Sequence, residues 1–164
     1  MCQIMAKGER TISELLQQLA KTEEAVLADC MRRLASSDEL ECALSAILAD
    51  EARQYLTAIA SYSGVQSVVR IVRSEEKWQG LPAIVDANGD LWARQNLLWQ
   101  IEASIVCSVQ FCEQAKKSFP YSEEQLFLEG YLHEKKKSRR KVEEVLRFVQ
   151  NRIWERTGFA PYCY

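Results

Sequence analysis

Apolar residues recur along most of the chain with a period near 3.6, the signature of long amphipathic helices. In 11–35 the stripe is Ile12, Leu15, Leu16, Leu19, Val26, Leu27, Cys30, Met31 and Leu34. Ser36, Ser37 and Asp38 interrupt it, and Ser37 or Asp38 can cap the next helix. The second segment, 39–61, turns Leu40, Leu44, Ile47, Leu48, Tyr55 and Ile59 inward, and Gly64 ends it. A long connection follows, in which VVRIVR predicts a short helix within 65–78. The strongest turn signal, GLPAIVDANGDLW, predicts a small hairpin through Asn88-Gly89 or a helix cap at Asp90. A third helix spans 90–118. After Pro120, a fourth starts near Ser122 and runs to Arg156, where Thr157-Gly158 stops it. Its length leaves a kink near the basic stretch open. The aromatic tail FAPYCY docks on the helices.

Tight turns between the first two and the last two helices force antiparallel pairs. The expected fold is all-α, an antiparallel four-helix bundle with one long crossover between helices 2 and 3. It is read as one domain over 1–164, with the crossover at about 62–89 and the tail at 157–164. The scarcity of breakers, Gly 6 and Pro 3, agrees with helices rather than strands and turns.

Three stripes carry a carboxylate where an apolar residue belongs. Leu16 and Leu19 lead to Glu23, Ile47 leads to Glu51, and Leu98 leads to Glu102. Glu23 lies about 13 residues before the first turn and Glu51 about 14 after it, so the antiparallel pair sets them nearly level. On the fourth helix the stripe Val142, Leu146, Val149, Ile153 extends back through Ser138 or Arg139, Lys135, Leu132, Tyr131 and Leu128. That helix therefore presents a cation at the height of Glu102. Buried carboxylates need metal, protonation or a paired cation. The expected partner here is Lys135 or Arg139.

Level, inward glutamates on bundle helices resemble the ferritin-like di-iron family, as does the segment TEEAVLADCMRRLASSDELECALSAILADEARQYLTAIA, which is similar to the first half of a rubrerythrin-like chain. The resemblance implies a bundle with a carboxylate-bound iron pair, to which two helices give a Glu each and two give Glu-x-x-His. The chain departs from this pattern. Gln54 follows Glu51 at the ligand position, Lys137 follows Glu134, and the single histidine is His133. The reading is a degenerate site and no cofactor. The alternative is an iron-handling or oxidase protein in which Glu23, Glu51, Glu102 and Glu134 hold iron, with His133 as a displaced nitrogen donor.

Charge adds one feature. The net charge is −2, yet 133–164 holds nine Lys/Arg against four Asp/Glu. KKKSRRK at 135–141 is either a solvated face, braced by Arg139–Glu143 and Arg140–Glu144, or an anion patch. The patch would use Lys136, Lys137, Arg140 and Lys141 and make a nucleic-acid-associated regulator. Trp92 and Trp99 share a face of the third helix and would pack the crossover or form a homodimer contact. Asp86, Asn88 and Asp90 resemble the start of a calcium loop, but the glycine is misplaced and the twelfth position is not acidic. One histidine leaves no Ser/His/Asp set, and no glycine-rich phosphate loop is present. No stretch is apolar enough for a signal peptide or a membrane span. The six cysteines form no CxxC pair and read as reduced thiols of a cytoplasmic protein. The function expected from all this is non-catalytic: binding of a ligand or an unknown protein partner.

Overall fold

The computed structural model describes residues 11–64, 67–87, 89–119 and 122–158. Among these residues the protein is all-helical and contains no strand. The helices are α1 (Ile12–Arg33), α2 (Glu39–Ala60), α3 (Glu75–Asp86), α4 (Leu91–Lys117) and α5 (Ser122–Thr157). No helix among them is long and apolar enough to cross a membrane.

Local chemistry accounts for the boundaries. Thr11 opens α1 with a capping box, its hydroxyl accepting from the Glu14 amide at 3.2 Å while the Glu14 carboxylate accepts from the Thr11 amide. Arg32 and Arg33 fill the last turn, where the helix dipole favours cations. Asp38 caps α2 at 3.0 Å from the Glu41 amide, and Asp90 caps α4 by accepting from the Trp92 and Ala93 amides at 3.1 Å. Of the two readings of this turn the structure shows the Asp90 cap, and Asn88 lies outside the described residues. Pro120, the Ser122 side chain and the aromatic tail also lie outside them. Gly158, with φ at +81°, takes the left-handed conformation that closes α5. At 36 residues, about 54 Å, α5 is continuous through the basic stretch, with no break there.

The short link 34–38 folds α2 back along α1, and α5 packs back along α4. The core is Leu15 and Leu19 of α1, Leu40, Leu44 and Tyr55 of α2, Leu98 of α4, and Phe127, Leu128, Tyr131, Val142 and Val149 of α5, all fully or nearly fully buried. A buried Arg94 ties the starts of α2 and α4 together, its Nε 2.9 Å from the Asp38 carboxylate.

The connection departs from expectation. VVRIVR is not helical; the helix of this region, α3, begins only after it, at Glu75. Residues 68–73 run extended, with Val69, Ile71 and the Arg73 side chain turned in and Val68, Arg70 and Val72 turned out. This period of two is what β-branched residues favour. Ser74 supplies the cap, and Glu75 and Glu76 the acidic first turn, that start α3 one step later. Trp78, Leu81 and Val85 then seat α3 against α2 and α5.

Gln54 holds the extended segment in place. Its Oε1 accepts from the Val72 amide at 2.7 Å and its Nε2 donates to the Val72 carbonyl at 2.9 Å, the pairing a neighbouring strand would offer. Replacing it by Ala should cost about 1–3 kcal/mol and should raise hydrogen exchange at the Val72 amide well above that of the α4–α5 core. Unchanged protection at Val72 would show that the clamp contributes nothing.

Candidate functional site

The buried carboxylates form a layer across the helices, and cations occupy it. Glu23 of α1 is fully buried. Its Oε1 receives both the Lys135 ammonium and the Tyr131 hydroxyl of α5. Lys135 also stands 4.1 Å above the centre of the Tyr55 ring, with Tyr131 on its other flank at 5.6 Å. The two tyrosine rings lie 5.1 Å apart, so the ammonium sits in an aromatic cleft rather than in water.

Glu51 of α2 is bound differently. Arg73, arriving from the extended crossover, places its Nε 2.9 Å from Glu51 Oε1 and pairs through Nη1 with Glu134 of α5. Its Nη2 donates to the Glu134 carbonyl at 2.7 Å and to the Ser138 hydroxyl at 2.8 Å. Ser138 in turn donates to Glu51 Oε2 at 2.7 Å. One guanidinium therefore joins α2, α5 and the crossover. Burial alone would pull the Arg73 pKa down; the adjacent Glu51 and Glu134 carboxylates outweigh it and hold the pKa above its ordinary value.

These placements sort the sequence candidates. Glu23, Glu51, Glu134 and Lys135 are buried, and Lys135 rather than Arg139 reaches Glu23. Glu102 is not in the layer: it lies partly exposed at the rim, 3.5 Å from Arg139, which also pairs with Glu143 at 2.9 Å. The stripe on α4 is broad, so a residue one step off its axis reaches the edge, not the centre. His133 faces solvent, one position before the buried pair Glu134 and Lys135. Gln54 clamps the crossover and takes no part in the layer. Sequence reasoning missed Arg73. Its signal was an arginine at the inward end of an alternating β-branched run, hidden while that run was read as a helix.

A di-iron centre does not fit these residues. The Lys135 ammonium and the Arg73 guanidinium stand between the carboxylates, and both nitrogen-ligand positions of the pattern hold other chemistry. Among the described residues, no group of three or more His, Cys, Asp or Glu side chains is placed to hold a metal ion.

The basic run is largely committed to acids. Besides Lys135 and Arg139, Lys136 lies 3.1 Å from Glu113, Lys137 3.5 Å from Glu134, and Lys141 2.7 Å from Glu75. Arg140 faces solvent. Trp92 and Trp99 are about half exposed. Cys30, Cys42 and Cys112 are free thiols, whereas Cys107, on a partly buried face of α4, is disulfide-bonded, against the expectation of six reduced cysteines.

A cleft of about 560 Å³ opens between α1 and α4 and reaches down to the layer. Val26, Leu48, Ile101 and Ile105 line its sides, and Glu23, Glu51, Tyr55, Lys135 and Ser138 line its floor. Glu23 Oε2, buried on that floor, has no hydrogen-bond partner. No family model, curated protein or solved structure matches the chain.

The core thiols give the fold a pH signature. Burial, helped by the nearby Asp29 carboxylate, pushes the Cys30 thiol up from 9.0 to about 11, and burial pushes Cys112 to about 12. Above pH 9 the unfolded chain releases thiol protons that the folded chain keeps. Stability is therefore complete below pH 9 and falls as pH rises toward 11–12. Urea titrations across this range should show that decline, and Cys30→Ala should flatten it by up to about 1.4 kcal/mol per pH unit. An identical slope in the variant would contradict the assignment.

Proposed function

We propose that the chain is a non-catalytic binding protein with ferritin-like connectivity: four long helices, one long crossover, and a metal layer replaced by an internal ion-pair network. The observation that carries this reading is the position of the two cations. Lys135 meets Glu23, and Arg73 bridges Glu51 and Glu134, where a carboxylate-bound metal pair would need open coordination sites. Divalent metal would have to displace both cations from partners that already satisfy most of their hydrogen-bonding capacity. With the cations in place, the layer stabilises one arrangement of helices and crossover, and the cleft above it is free to take a ligand. The pairing of Lys136, Lys137, Arg139 and Lys141 with acids favours this reading over a nucleic-acid patch, which needs several uncommitted cations on one face.

The experiment is metal analysis of purified protein before and after anaerobic incubation with ferrous iron. The reading predicts far less than one metal ion per chain under both conditions and no change in melting temperature. About two tightly held ions per chain would replace it with the iron-handling reading.

A further inference from the structure

The cleft and its floor carry a specific ligand chemistry. Two carboxylates, Glu23 and Glu51, line the floor against one ammonium, Lys135. That ammonium is already engaged by Glu23 and by the Tyr55 ring. Lys21, Asp29 and Arg33 also line the cleft, with Arg33 paired to Asp29, so the cation preference comes from one atom of the floor and not from the charge of the whole lining. Glu23, which lines the cleft, carries in Oε2 a buried acceptor without a partner. Such an orphan acceptor in a native interior calls for a donor from elsewhere. Val26, Leu48, Ile101 and Ile105 give the lining an aliphatic part among polar side chains of α1 and α4, and the volume lies within the range of small-molecule sites, about 300–1,000 Å³.

We propose that this cleft binds a small organic cation, an ammonium on an apolar body, with the ammonium hydrogen-bonded to Glu23 Oε2 and the body held between α1 and α4. The proposal rests on the reading of the layer as a binding floor and not a metal centre. It adds the ligand's charge and the atom that recognises it. The ammonium would give the orphan oxygen its donor. Val26, Leu48, Ile101 and Ile105 would hold the apolar body.

The test is titration calorimetry on the full chain with three probes of similar size: 2-phenylethylammonium, the neutral 2-phenylethanol and the anionic 3-phenylpropionate. The ammonium should bind saturably at one site, at least roughly tenfold tighter than the other two. Glu23→Gln should remove that preference. Ile101→Trp, which fills the cleft from its side and leaves the floor untouched, should abolish binding of all three while the helical circular dichroism is unchanged. No saturable binding, equal affinity for alcohol and ammonium, or unchanged ammonium binding in either folded variant would overturn the proposal. Should Glu23→Gln fail to fold, Ile101→Trp decides. Metal content measured on the same preparation separates the two levels. Absent ammonium binding to metal-free protein overturns this inference alone, whereas stoichiometric metal overturns the reading beneath it.

Discussion

Three carboxylates taken out of water must be compensated within the same layer, and this constraint organises the molecule. A buried charge left alone costs several kcal/mol, more than most single contacts contribute. Glu23, Glu51 and Glu134 come from three different helices, so their counter-charges must arrive from outside those positions. Lys135 comes from α5 and Arg73 from the crossover. The path of 68–73 follows: the segment must run extended and level with the layer for Arg73 to reach both Glu51 and Glu134. Gln54, bonded to both polar atoms of the Val72 backbone, sets that level one residue before the arginine.

The same constraint explains why α5 can be both the most charged helix and part of the core. Glu134, Lys135 and Ser138 point inward on consecutive turns, while Lys136, Lys137 and Arg140 point out. A run of like charges would strain a helix if all were solvated on one side. Here the charges are spread around the axis, and most have a carboxylate on a neighbouring helix, on the crossover side or one turn away. Helix continuity through the basic run follows from that neutralisation. The network is also specific in a way that an apolar layer is not, because a register slip of either hairpin would separate Glu23 from Lys135 and Glu51 from Ser138.

Much of this was legible from residues alone. The long helices were visible in the 3.6-residue stripes and in the caps at Asp38 and Asp90. The inward glutamates Glu23 and Glu51, and Lys135 as a buried partner, followed from their positions within those stripes. The conformation of 68–73 was not legible, because VVRIVR carries aliphatic residues on both faces and its alternation is too short to stand out from a helical pattern. Arg73 was lost with it. Glu102 and His133 were misplaced for a geometric reason: Glu102 lies off the axis of the broad stripe on α4, and His133 lies between buried Leu132 and Glu134, where a rotation of about 100° per residue carries a side chain from the centre to the rim. The disulfide of Cys107 had no sequence signal, since its spacing to the other cysteines forms no motif. The cleft was beyond sequence reasoning altogether, because it depends on how closely α1 approaches α4.

The central claim is that the buried cations and carboxylates form one compensated layer. A double-mutant cycle on Glu23 and Lys135 tests it most directly, built on a Tyr131→Phe background so that no stranded hydroxyl enters the balance. Glu23→Leu and Lys135→Met should each cost about 3–5 kcal/mol, because each leaves the other charge buried alone. The double variant should cost less than either single change. If instead the two costs add to within about 0.5 kcal/mol, the residues do not compensate one another and the account of the layer is wrong.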